Sequence, residues 1–117
     1  PVVLVEADRP TARLIESNAR ELGLQADVRS AKAETFAAAP GRRFDLVFLD
    51  PPYRQHLADR VLPLLEPAGL LNPGAVVIVE EHALAELPEQ TGALTLTDRR
   101  RYGETGLWIF RHQPAGN

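Results

Sequence analysis

Residues 44–53 read Phe-Asp-Leu-Val-Phe-Leu-Asp-Pro-Pro-Tyr, and no other stretch constrains the fold as tightly. An apolar run bounded by turn residues predicts a strand buried on both faces of a parallel sheet. Pro51 and Pro52 have no amide hydrogens to give to a ladder, so the strand must stop at Asp50. Asp50 is therefore expected at the carboxyl edge of the sheet, where open α/β folds bind ligands. The prolines stiffen the loop and leave its carbonyls free as acceptors, and Tyr53 adds a flat ring. A carboxylate, rigid carbonyls and a ring within four residues suit a planar ligand that carries an amino group.

The flanking sequence repeats the plan. Residues 2–6 and 75–80 are also buried-strand patterns ending in an acid, Glu6 and Glu80. Between the first two strands, Asp8 is a good N-cap and Pro10 fits a first helical turn. Leu14, Ile15, Asn18, Ala19 and Leu22 then fall on one helical face, and Gly23 is a C-terminal stop. A short strand is expected over 25–29, and a short helix over 31–39 with Phe36 turned inward. A second long helix follows over 55–66, with Leu57, Val61, Leu64 and Leu65 as its stripe. Residues 70–74 read as a turn and 82–91 as irregular chain. Strands over 93–101 and 106–111 flank a hairpin turn at 102–105. The tail, 113–117, reads as disordered. This β-α-β-α-β-α-β order with a terminal antiparallel hairpin predicts one α/β domain on a mostly parallel sheet.

A length of 117 residues suits one domain, and 44% apolar with 25% charged residues is ordinary for a soluble chain. No apolar run approaches a membrane span and no signal peptide is visible, so a cytoplasmic location is expected. Without cysteine there is no disulfide framework and no thiolate metal site. His56, His82 and His112 show no metal-ligand spacing, so no metal is expected. The net charge of −3 does not advertise a polyanion partner. Lys32 is the only lysine, yet arginines cluster at 42–43, at 54 and at 99–101. Such local patches serve either nucleic-acid contact or a solvated surface.

Glu6, Asp50 and Glu80 are expected along one sheet edge, and three chemistries can use it. In an S-adenosylmethionine-dependent methyltransferase of the amino-group class, Glu6 accepts hydrogen bonds from the cofactor ribose. Asp50 and the Pro51 carbonyl accept the N–H bonds of a base amine, and Tyr53 stacks on the base. In a receiver domain of two-component signalling, Asp50 is phosphorylated and Glu6 with Asp8 hold magnesium. That reading needs a Ser or Thr after its fourth strand and a Lys after its fifth; here Glu80-Glu81 follow Val79, and Lys32 lies too early. A non-catalytic binding domain could use the same edge.

Taken in order, residues 2–9, the helix with Asn18 and Gly23, residues 44–53, Val79-Glu80 and the run Arg101-Tyr102-Gly103-Glu104-Thr105 resemble the RsmD family. These are bacterial small-subunit ribosomal RNA guanine-N2 methyltransferases with a Rossmann-like fold. Asp-Pro-Pro-Tyr alone is shared with adenine-N6 DNA methyltransferases, and the hairpin run points to this family. The resemblance implies S-adenosylmethionine as methyl donor. Glu6 and Ala7 would bind its ribose side, Lys32 and Ala33 would border the adenine, and Asp50 would belong to both ligands. Asp50, Pro51, Pro52 and Tyr53 would form the catalytic corner, with Tyr53, Arg54, Arg101 and Tyr102 on the substrate. The implied partner is ribosomal RNA in a small subunit, and the implied full-length protein is a monomer that uses neither membrane nor metal. The sequence departs from the family at Lys32, where an acid is usual, and it has no glycine-rich loop before Glu6. Residues 1–117 are thus expected to be the C-terminal portion of a catalytic domain whose first strand would sit between those of Glu6 and Asp50. Without it, each of those strands exposes an unpaired apolar edge. The isolated piece is then expected to be unstable, to aggregate or to close the gap by non-native pairing, and to bind cofactor poorly and be inactive.

Overall fold

The computed structural model describes residues 2–24, 26–32, 36, 43–50, 57–65 and 69–114. The chain forms two compact units, residues 1–39 and residues 40–117.

In the first unit, strand β1 (Val2–Glu6) leads through helix α1 (Arg9–Glu21) to β2 (Ala26–Ser30). The two strands pair in parallel from Val2↔Ala26 to Glu6↔Ser30. Asp8 caps the helix as its sequence suggests: its backbone is extended and its carboxylate accepts the Thr11 N–H at 3.1 Å. Gly23, at φ +71°, ends it. The amides of Gly23 and Leu24 donate to the Arg20 and Ala19 carbonyls at 3.1 and 2.8 Å, the paired bonds of a Schellman stop. The buried face of α1 is not the expected one. Ala12 and Ala19 are buried and Ile15 is half-buried, whereas Asn18 is exposed and Leu14 and Leu22 stand 60% and 72% exposed. Residues 12, 15 and 19 form one helical line, and its small alanines, not the leucines, face the sheet.

The second unit holds β3 (Phe44–Leu49), α2 (Leu57–Leu65), β4 (Leu71–His82), β5 (Gln90–Thr91), β6 (Leu94–Tyr102) and β7 (Thr105–His112). Its sheet has the order β3-β4-β7-β6-β5. β3 and β4 run parallel, while β7 is antiparallel to both β4 and β6. The β6–β7 hairpin closes at Tyr102↔Thr105, over Gly103 at φ +61°. Alternation puts Val77, Val79, Trp108 and Phe110 on one sheet face, all but sealed from solvent. Val61, Leu62 and Leu65 of α2, with Leu70, Leu71, Ala75, Ala83 and Leu94, are the other buried apolar residues described in this unit.

The strands of Glu6 and Asp50 are not neighbours and the terminal β6–β7 hairpin is antiparallel, both as expected; the described strands form two sheets. Other expectations change, and β4 is antiparallel to β7. β3 is the edge strand among the described strands, and it is not buried on both faces: Leu46 and Phe48, on one face, are 61% and 56% exposed. Leu4 of β1 is 37% exposed for a related reason, since β1 pairs with β2 alone among the described strands. The Asn72-Pro73-Gly74 turn lies inside β4. Between Phe44↔Leu71 and Leu46↔Val76, β4 advances five residues while β3 advances two. The turn residues make this irregularity, with Gly74 at φ +81°. In α2, Leu62 joins Val61 and Leu65 in the core and Leu64 is only half-buried. Gln113 is tied down, its amide donating to the Ala93 carbonyl at 2.8 Å. Of the helix expected over 31–39, Phe36 is described. It is half-buried and its amide donates to the Lys32 carbonyl at 3.0 Å, one helical turn back; residues 33–35 and 37–39 lie outside the described residues.

Candidate active site

Asp50 stands where the two prolines require it, one residue past β3 and exposed. Parallel pairing of Leu49 with Val79 sets it level with Glu80 on the neighbouring strand. The two carboxyl groups therefore lie close enough to interact. Partial burial, and then the bond to Asp50 and its charge, push the Glu80 carboxyl above its ordinary range.

The remaining sequence-predicted residues divide between the units. In the first, Glu6 ends β1 half-buried, and its carbonyl accepts the Ala31 N–H at 3.0 Å, which holds the following loop against the strand end. Ala7 and Lys32 are exposed. An acceptor carboxylate at the carboxyl end of a parallel strand fits the hydroxyl pair of a ribose. Of the three acids expected along one edge, the structure brings Asp50 and Glu80 together, while Glu6 ends a strand of the other sheet. Ala33, Pro51, Pro52, Tyr53 and Arg54 lie outside the described residues.

On the hairpin, Arg101 and Tyr102 are both exposed. The Arg101 Nε donates to the Gly103 carbonyl at 2.9 Å, which curls the side chain over the turn. Its two neighbours have other roles. Asp98 accepts the Arg99 amide at 2.8 Å and the Arg100 Nε at 2.9 Å, and these bonds hold its carboxyl below the ordinary range. Arg99 lies 4.8 Å over the Trp108 ring and donates to the Ala83 carbonyl at 2.7 Å. The arginine run therefore combines a structural residue, Arg99, with side chains presented to solvent. Sequence reasoning took Glu80 only as one edge acid and took Arg99 only as a charge. The strand register, which a sequence does not print, supplies the partner of each. Among the described residues, no cluster of three or more His, Asp or Glu could hold a metal ion, and no helix is long and apolar enough to cross a membrane.

With a parallel pair extended by an antiparallel hairpin, and an acid corner where the parallel strands end, the fold is that of the Rossmann-like methyltransferases. The chain belongs to the family described as conserved hypothetical protein 95, the RsmD family, whose model matches residues 1–111. It is 31% identical over 114 residues to YlbH of Bacillus subtilis (strain 168), provisionally named an rRNA methyltransferase, and covers 93% of this chain and 62% of that protein. It is 28% identical to ribosomal RNA small subunit methyltransferase D of Escherichia coli (strain K12), over 97% of this chain and 58% of the relative. A crystal structure from Haemophilus influenzae, provisionally described as methylase HI0767, superposes with a TM-score of 0.84 at 27% identity, covering 96% of this chain and 72% of that one. The chain thus spans about three-fifths of the length of these two curated relatives. Membership of this family removes the basis for the receiver reading of Asp50.

Proposed function

We propose that this protein transfers a methyl group from S-adenosylmethionine to the exocyclic amine of a nucleic-acid base, guanine N2 of small-subunit ribosomal RNA. The observation that carries the reading is Asp50: an exposed carboxylate at the end of β3, directly before Pro51-Pro52-Tyr53 in the sequence. The names of the curated relatives, rRNA methyltransferases, support the substrate class. The cofactor, when bound, supplies an electrophilic methyl on a sulfonium sulfur.

The chain's own residues do the rest. An exocyclic amine is a poor nucleophile because its lone pair is delocalised into the ring. Asp50 and the Pro51 carbonyl accept its two N–H bonds and turn the lone pair out of conjugation toward the methyl. As the nitrogen takes the methyl that the bound cofactor would supply, Asp50 would receive the N–H proton it loses. Such positioning can contribute a large part of the rate. Tyr53 stacks on the base, an interaction worth roughly 1–3 kcal/mol. Arg54, Arg101 and Tyr102 contact the RNA chain. Glu6 with Ala7 takes the ribose, and Lys32 with Ala33 borders the adenine. Both units belong to one catalytic domain in this reading, and the full-length protein acts as a cytoplasmic monomer. The 117-residue chain by itself is inactive.

The test is Asp50→Ala in the protein expressed from its complete reading frame, assayed by tritiated-methyl transfer to small subunits lacking the modification. The rate should fall roughly 100-fold or more, as when a preorganised polar group is lost from an active site. Unchanged circular dichroism would show an intact fold. A rate close to that of the unsubstituted enzyme would remove Asp50 from the mechanism.

A further inference from the structure

Methylation leaves the nitrogen with one proton too many, and that proton needs an acceptor. A lone exposed aspartate is a weak one, with an ordinary pKa of about 4. Asp50 is not alone. β3 and β4 are parallel and in register from Leu46↔Val76 to Leu49↔Val79, so Glu80 stands beside Asp50, one residue past each end of the paired run. We propose that Asp50 and Glu80 act as one two-carboxyl acceptor, in which Glu80, side by side with Asp50 across the β3–β4 register, is a positioning residue for it.

The proposal rests on Asp50 being the amine acceptor. Its chemistry follows from the pair. When both groups are ionised they repel, and one proton placed between them removes the repulsion and forms a hydrogen bond. The N–H proton released at nitrogen goes to the Asp50 carboxylate and is shared with Glu80, which later returns it to water. No other reactant is required.

The surroundings favour a pair that answers to itself. Along β4, His82 shares the Glu80 face two residues on, while Glu81 is buried on the opposite face. On β7 the residue opposite Glu80 is Leu107, which carries no charge. Beyond it on β6 lies Arg100, bound to Asp98 at 2.9 Å and beside Tyr102. On β3 the other acid, Asp45, accepts from Asn72 at 3.0 Å toward the far end of the strand.

The test compares Glu80→Gln, Glu80→Ala and Asp50→Ala in the protein from its complete reading frame, with kcat for methyl transfer followed between about pH 5 and 9. In the unsubstituted enzyme kcat should fall on the acid side as the pair takes its proton too early. Glu80→Gln removes the repulsion, so this acid limb should move to lower pH, and plateau kcat should drop roughly 3- to 10-fold because the base is weaker. The amide can still hold Asp50, whereas Glu80→Ala loses both effects and should drop further, with cofactor affinity by calorimetry unchanged in both. Superimposable pH profiles for the Gln variant and the unsubstituted enzyme would overturn the proposal. If Asp50→Ala remains inactive in that case, the underlying reading stands and only the partnership fails; if Asp50→Ala is active, the reading itself fails. A misfolded Ala variant would be recognised by calorimetry, and the Gln variant decides alone.

Discussion

Gly106 shows how tightly one residue can be specified. A methyl group there would lie 2.6 Å from Cζ3 of Trp108, whose ring covers the glycine and is itself covered by Arg99. The ring cannot give way without breaking that stack and the packing beneath it. Gly106→Ala should therefore destabilise by roughly 1–3 kcal/mol, the usual cost of overpacking a core. Urea denaturation checks this, and a shift below about 0.5 kcal/mol would mean the ring has room to move. Asp8 makes a prediction in pH. Its bonds to the Thr11 amide and hydroxyl hold its carboxyl below the ordinary range. A depressed folded-state pKa means the capping stability is complete above the unfolded value of about 3.9 and is lost as pH falls through the lower folded value. Asp8→Ala should lower the melting temperature at pH 7, and the difference from the unsubstituted protein should shrink in acid. A difference that does not change with pH would assign the cap to the chain's shape and not to its charge.

At the scale of elements, β3 and α1 carry apolar side chains that the described structure leaves uncovered. On β3, Leu46 and Phe48 share an open face with Val76 and Ile78 of β4. An edge strand with exposed apolar residues invites pairing with another chain. Leu46→Thr with Phe48→Thr should cost the 117-residue chain little stability and reduce its self-association, as read by sedimentation velocity. Trp108→Ala, on the sealed face of the same sheet, should cost about 3–5 kcal/mol. Equal losses for the two variants would mean that the open face is covered in solution. The hairpin shows the opposite treatment of an edge. β6 pairs with β5 only at Leu94 and Thr95. Farther along, Asp98 occupies the Arg99 amide, and Arg100 and Arg101 stand exposed at the rim. These charged side chains discourage strand pairing.

For the molecule as a whole, the prediction concerns the cofactor. Glu6→Ala in the protein from its complete reading frame should weaken S-adenosylmethionine binding roughly 10- to 100-fold, the value of hydrogen bonds to a charged acceptor. Isothermal calorimetry reads this directly, and an unchanged affinity would take the ribose away from Glu6. The same experiment on the 117-residue chain should give no micromolar binding.

Local chemistry made much of this legible. Proline without an amide hydrogen ends β3 at one possible place, so Asp50 could be located from the chain alone; Asp8 and Gly23 likewise set the ends of α1. Each of these acts within a few residues. The tertiary structure decided what depends on neighbours distant in sequence. Thirty residues separate Asp50 from Glu80, and only strand register joins them. Helical periodicity admits several faces, and packing chose the alanines of α1 over its leucines. A strand reads the same whether it is flanked or left at an edge, because burial is a property of what lies beside it.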